Sequence, residues 1–244
     1  MIVLALDSAT TTPAAGLWRD GALTIRAGVA GISHARQLPA LLSDLMTGEG
    51  VGVSDVDRFA TVAGPGGFTG LRVGLATIQG LALVTGRRVV SVSRFTALAL
   101  SADGVPDGAV VGVLIDARRG EVFAQRLEHR PRVLAGQGSF EAVDAPRVDT
   151  LETVLEAWSL DRPPAAIVAD PAIACPPDVP AVKWLEAGPS VGHVAMLAAA
   201  ADAPTVDPHD LQPLYVRRPD AELVRDRRRA EARTAAQQRS ATEP

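Results

Sequence analysis

The stretch Ala63-Gly64-Pro65-Gly66-Gly67-Phe68-Thr69-Gly70-Leu71-Arg72-Val73-Gly74 decides how this chain is read. A strand-like run, Arg58 to Ala63, enters it, and a helix-like run, Leu71 to Val84, leaves it. Gly64, Pro65, Gly66 and Gly67 make a tight, irregular turn at that junction. Glycine accepts positive φ and a close backbone, and proline fixes one φ. Thr69 stands where its hydroxyl would cap the following helix. The turn therefore sets a helix N-terminus, with its unpaired N–H groups, at the end of a buried strand. That is the geometry of an anion cradle. Two phosphate motifs nevertheless fail by count. A dinucleotide loop needs Gly-x-Gly-x-x-Gly, and counting from Gly64 the third glycine position holds Thr69. A P-loop needs Gly-Lys-Ser/Thr, and the turn has no lysine. The competing reading is close packing: Gly70 and Gly74, one turn apart, make a smooth face that another helix can approach.

At 244 residues the chain is long enough for one large domain or two small ones. Hydrophobic residues make up 47% and aromatics only 4%, so alanine, valine and leucine must build the core. A formal charge of −4 argues against a broad nucleic-acid surface. Cys175 is the only cysteine, which excludes an internal disulfide. The start, Met1 to Asp7, has no basic segment, and its apolar run is too short for a signal peptide or a membrane span. A cytoplasmic protein is expected.

Ile2 to Leu6 reads as a buried strand that ends in the polar turn Asp7 to Pro13. Ala14 to Arg19 and Ala22 to Val29 follow as strands joined at Asp20-Gly21, a hairpin signal. A helix capped by Ser33 runs to Thr47, with Pro39 expected to kink it or delay its start. After the glycine-rich turn and its helix, Gly86 fits the C-cap. Arg88 to Val92 is a strand, and Ser93 opens a helix to about Ala102. The order βββαβαβα is that of a ribonuclease-H-like half domain. The second half restarts in the same way: strand Val110 to Ile115, Asp116, a turn at Ala117 to Gly120, and strand Glu121 to Leu127. That repeat suggests an internal duplication. Further on, Arg132 to Leu134, Thr150 to Trp158, Ala165 to Ala169 and Ser190 to Ala201 read as strand, helix, strand and helix, with Leu214 to Val216 as a last ordered segment. The expected organisation is α/β, with half domains over 1–102 and 103–218, mixed sheets flanked by helices, and a charged, disordered tail over 219–244.

Half domains that each open with strand–Asp–turn–strand resemble the actin-like ATPase superfamily of sugar kinases, Hsp70 and actin. Within it, Gly64 to Gly74 is similar to the TsaB family, which usually has serine where this chain has Gly67. Leu6 to Thr10, Ser33-His34-Ala35, Asp116 to Val122 and Tyr215-Val216-Arg217 match the same family in order. The resemblance spans Met1 to about Arg217, and it is weakest between Leu134 and Val206. It implies a non-catalytic partner of TsaD, the related subunit that transfers threonylcarbamoyl to adenosine 37 of tRNAs reading ANN codons. It also implies that the ATPase TsaE joins the pair, that ATP and Mg are used by the complex, that tRNA is met only indirectly, and that the chain alone pairs with itself through the same two helices. On the first helix the implied interface residues are Ala35, Leu38, Leu41, Leu42 and Leu45. On the second they are Phe68, Gly70, Leu71, Gly74, Leu75 and Ile78. The residues by themselves leave ordinary core packing open for all of them.

The chemistry-bearing residues are sparse. A TsaD-type metal site uses His-x-x-x-His on a helix, and no two of His34, His129, His193 and His209 are four apart. No metal site or catalytic residue is expected. Asp7 with Ser8, Thr10 and Thr11 makes a passable first phosphate loop, read as vestigial, and the turn aspartate competes as a cap of its own backbone. The second loop has Ala117 and two arginines after Asp116, and the adenosine loop has Pro171 after Asp170, which removes an N–H. Gly-x-Ser-x-Gly is absent, and Cys175 has no histidine nearby in sequence. The alternative function is a self-sufficient actin-like nucleotide-dependent enzyme or a glycoprotease-like metallopeptidase relative.

Overall fold

The computed structural model describes residues 1–130, 139–177, 179 and 182–217. Its first sheet holds β1 (Ile2–Asp7), β2 (Ala14–Arg19), β3 (Ala22–Ala27), β4 (Arg58–Gly64) and β5 (Val89–Ser93), in the order β3-β2-β1-β4-β5. β1 runs antiparallel to β2 and parallel to β4. The hairpin turns where expected, with Asp20 at φ 48° and Gly21 at φ 95°. β1 and β4 are buried almost end to end because helices cover both faces. Alternation along the strands assigns those helices. Leu6 meets Gly74 of α2 (Phe68–Thr85), whereas Gly16, the cross-strand partner of Ala5, meets Val191 of α5 (Val191–Ala199). The helix α1 (His34–Gly48) packs beside α2.

The second sheet holds β6 (Val110–Arg118), β7 (Glu121–Arg130), β8 (Ser139–Ala142), β9 (Arg147–Thr150), β10 (Ala166–Ala169) and β11 (Lys183–Glu186). Its order is β11-β10-β6-β7-β8, with β9 also on β7. β6 is antiparallel to β7 and parallel to β10, so the restart seen in the sequence repeats the pairing of β1 with β2 and β4. The chain is a mixed α/β protein of two sheets flanked by helices. α4 (Leu151–Leu160) buries Trp158 against β6 at Gly112, where a side chain would collide with the indole ring.

The helices cross between the cores. α3 (Arg94–Ala99) sends Phe95, Leu98 and Ala99 into the core of the second sheet. α5 comes late in the chain, yet Val191, Val194, Ala195 and Ala198 belong to the core of the first. A division at residue 102 therefore does not describe the packing. An alanine-rich helix with little polar face carries no mark of which sheet it will cover, which is why sequence order misplaced it. The segment after α5 also stays with the first sheet: Val206 bridges Val89, and Leu214 donates to the Ala63 carbonyl at 2.8 Å.

Other expectations shift locally. α2 begins at Phe68 on N-cap Gly67, so Thr69 lies inside the first turn and does not cap it; Gly86 does close the helix, at φ 63°. α1 continues through Pro39, whose ring sits on the exposed side. β8, β9 and β11 were not anticipated. Each is four residues long and only part-buried. The strand expected at Arg132 to Leu134 and the tail over 219–244 lie outside the described residues.

His193 on α5 lies where α3 and α5 meet. Burial pushes its imidazole below the ordinary range, partly opposed by a backbone hydrogen bond with Ala97 and by the Asp103 charge. The unfolded chain therefore takes up this proton at a higher pH than the folded one. Stability present above the ordinary imidazole pKa is lost as pH falls from there toward the folded value. Urea midpoints measured between about pH 7.5 and 5 should fall on acidification, and His193→Gln should flatten that slope.

Candidate functional site

A cleft of about 1560 Å³ opens at the carboxyl ends of β1, β6 and β10, where Asp7, Asp116 and Asp170 stand. In a fold of this kind a nucleotide and its metal would be held there, so the fit of the residues present can be tested. Asp7 is 4% exposed; its Oδ1 accepts the Ala9 N–H at 2.8 Å, and its Oδ2 accepts from the Ser190 hydroxyl at the start of α5. Asp170 pairs with the buried Arg94 at 2.8 Å and accepts the Asp116 N–H at 2.9 Å. Asp116 accepts the Arg118 N–H at 2.8 Å and faces that residue's guanidinium at 3.1 Å. Thr10 donates to the Thr12 carbonyl at 2.6 Å, within its own loop. The Ser8 hydroxyl is buried against Gly74, and Thr11 is exposed at the rim. These carboxylates hold loops and an arginine of their own chain, and the residues present do not fit a nucleotide–metal pair. Among the described residues no group of three His, Cys, Asp or Glu is placed to hold a metal.

The glycine-rich stretch has a different use. A Cβ on Gly66 would strike the Ala9 carbonyl, one on Gly70 the Ser8 carbonyl, and one on Gly74 the Ser8 hydroxyl. Gly64, at φ 127°, would bring a Cβ within 2.7 Å of the Leu214 carbonyl. The smooth side of α2 thus receives the loop after β1, and no partner helix can approach it there. Gly67 N–H donates to the Ala9 carbonyl at 2.8 Å, and His34 Nε2 donates to the Thr10 carbonyl at 3.0 Å, so the same loop is clamped between α1 and α2.

The expected interface residues separate by face. Leu38, Leu42 and Leu45 of α1, and Gly70, Leu71, Gly74, Leu75 and Ile78 of α2, are buried in the core of the first sheet. They are not a surface of this chain. Helical spacing gathers the large side chains on the sheet-facing side, and sequence alone could not say which side that was. Leu41 is half-buried, while Ala35 and Phe68 are exposed. The outer side of the pair carries Ala35, Pro39, Ala40 and Ser43 on α1, and Thr69, Ala76, Gly80, Leu83 and Val84 on α2, with Val84 85% exposed. α2 is long and apolar enough by composition alone to cross a bilayer, because its outer face is apolar as well as its core face. The recurrence of small or apolar residues at 69, 73, 76, 80 and 83 was the legible sign of that second face.

The comparisons with known proteins follow the same outline. The family model of TsaD, tRNA N6-adenosine threonylcarbamoyltransferase, matches residues 27–166. The chain belongs to the TsaD family, as a TsaB-type member. It is 33% identical over 123 residues to the tRNA threonylcarbamoyladenosine biosynthesis protein TsaB of Escherichia coli (strain K12), a match covering 50% of this chain and 53% of that one. The chain thus spans about half the length of that relative. It is 32% identical over 229 residues to an uncharacterized protein of Mycobacterium tuberculosis (strain H37Rv), across 90% of this chain and 93% of that one. The solved YeaZ of Pseudomonas aeruginosa superposes with a TM-score of 0.67 at 26% identity, over 88% of this chain and 99% of that one, and carries the same actin-like fold.

Sequence reading missed Arg94, which lies 76 residues from its partner Asp170. It also missed the cluster of Phe68, Arg72 and Tyr215 at the mouth of α2. Two glycine substitutions on one helix separate packing from propensity. Gly70→Ala meets backbone and should destabilise by about 1–3 kcal/mol. Gly80→Ala has nothing within 4 Å and should stabilise by about 0.8–1 kcal/mol. Urea unfolding of the two variants should therefore shift in opposite directions.

Proposed function

We propose that this chain is a non-catalytic subunit in the synthesis of threonylcarbamoyladenosine on tRNA. It docks a TsaD-type transferase through the outer face of α1 and α2, and a TsaE-type ATPase joins the pair in the cytoplasm. The transferase carries the chemistry, and the complex uses ATP and Mg. In the absence of that partner, the same face pairs two copies of this chain. tRNA meets the complex chiefly through the other subunits. The observation that carries this reading is the second apolar face of α2. Ala76, Gly80, Leu83 and Val84 are exposed on the side away from the buried core face of Leu71, Leu75, Ile78 and Ala82. A soluble helix does not need two such faces unless one of them is covered. The inward commitment of Asp7, Asp116 and Asp170 supports the non-catalytic part, since a group held by internal hydrogen bonds is not free to hold a metal-bound phosphate.

Reconstitution tests the reading. Purified TsaD-type and TsaE-type proteins of the same organism should modify tRNA at full rate only when this chain is added. Ala76→Glu places a charge in the centre of the outer face and should abolish both co-purification and the added activity, while thermal unfolding stays within a few degrees of the parent. Full modification without the chain would overturn the reading.

A further inference from the structure

Arg72 is held in one pose before anything binds it. Its guanidinium lies 4.0 Å from the centre of the Phe68 ring, and its Nε donates to the Tyr215 hydroxyl at 2.8 Å. Phe68 and Tyr215 stack on each other at 5.4 Å, and both are more than a third exposed. Phe68 opens α2, and Tyr215 comes to it from far along the chain, on the segment that returns past Gly64. An exposed arginine ordinarily keeps its rotamer freedom. Here that freedom is already lost in the free chain. Among the described residues none accepts from its two terminal nitrogens, so none of them fills the flat edge of the fork.

The charge around it is one-sided. α2 has no acidic residue along its length, and neither α1 nor α2 has one in its first turn. Arg36, in the first turn of α1, is a second exposed cation at the same end of the pair. That end adjoins the uncharged outer face of Ala76 and Gly80. A fixed, unneutralised fork beside an apolar docking face is the arrangement in which a bidentate carboxylate contact adds both affinity and register.

We infer that Arg72 is the anchor for a carboxylate of the protein docked on the α1–α2 face, and that Tyr215 is the residue that positions it. The inference rests on the docking reading above and names the chemistry the partner must bring: an Asp, Glu or chain-terminal carboxylate opposite the N-terminal end of α2. A nucleic-acid phosphate is the less favoured source. Phe68 has Arg72 and Tyr215 packed on its ring, which takes up the surface a base would stack on, and the adjoining face lacks the row of cations a phosphate backbone needs.

The test uses the full chain and the purified TsaD-type protein of the same organism as the probe, with dissociation constants measured at low and moderate salt. Arg72→Lys keeps the charge but loses the fork, and it should weaken binding about tenfold. Arg72→Gln should weaken it further and flatten the salt dependence. Tyr215→Phe, which keeps the stack and removes only the hydroxyl, should give a smaller loss of the same kind. Melting temperatures of the free variants report on folding separately. Parent-like affinity in both Arg72 variants, with Ala76→Glu still disruptive, would overturn the anchor and leave the docking face standing. Parent-like affinity in all of them would overturn both. Unchanged partner affinity with weakened retention of tRNA by the assembled complex would assign the fork to phosphate, and would also overturn the inference.

Discussion

The contact between α2 and the loop after β1 sets the positions of most of what matters in this molecule. Ser8 presses its carbonyl and hydroxyl onto the helix positions Gly70 and Gly74, and Ala9 its carbonyl onto Gly66 in the turn before the helix, all without a side chain. Any Cβ at Gly66, Gly70 or Gly74 would lift α2 off the sheet or push the loop into the cleft. The contact therefore fixes two things together. It sets the height of α2 above β1 and β4, and so fixes which residues of the helix reach the core and which face outward. It also holds the loop in a shape in which Asp7 accepts from the Ala9 N–H and from the Ser190 hydroxyl, while the buried Ser8 hydroxyl has no hydrogen-bond partner among the described residues. The outer face and the closed phosphate loop are two results of one packing constraint.

The cleft follows the same logic. In an actin-like fold the strand-end aspartates are the natural place for a metal and a phosphate. Here each is held by a group of its own chain: Asp7 by Ala9 and Ser190, Asp170 by Arg94 and the Asp116 backbone, Asp116 by Arg118. The buried Arg94–Asp170 pair adds little net stability, since desolvation offsets much of its attraction. Its consequence is occupancy: the guanidinium of Arg94 already neutralises Asp170. The crossing of α3 and α5 between the two cores reinforces this, because α5 presents Ser190 to Asp7 while α3 presents Arg94 to Asp170. The strand-end aspartates are tied up by internal contacts, while the outer side of α2 presents an apolar surface.

Much of this was legible in the sequence where the pattern was local. The hairpin at Asp20-Gly21, the buried strands read over Ile2 to Leu6 and Arg58 to Ala63, and the repeat of strand–Asp–turn–strand at Asp116 all depend on neighbouring residues, and the structure has each of them, with both strands one residue longer. The weak loops at Asp116 and Asp170 were visible because Ala117 and Pro171 are the wrong residue types for a phosphate turn. What failed was long-range. α5 has no polar face to orient it. β8, β9 and β11 are too short and too exposed to show a period. Arg94 and Tyr215 gain their roles only from partners far away in the chain. The resemblance implies an interface for the leucines of α1 and α2, and periodicity alone could not assign them, because it shows that a face exists without showing which side the sheet will cover. Once Gly74 is placed against Ser8, that ambiguity disappears.

Hydrogen–deuterium exchange tests the central claim most directly, because it reports on the helices and the cleft in one measurement. Exchange is followed for the chain alone, with ATP and Mg, and with the TsaD-type protein in the absence of nucleotide. Partner binding should slow exchange in α1 and α2, while ATP and Mg alone leave residues 7–12 and 116–120 as they were. Slowed exchange at 7–12 and 116–120 with nucleotide alone, and no change in α1 and α2 with the partner, would contradict the account.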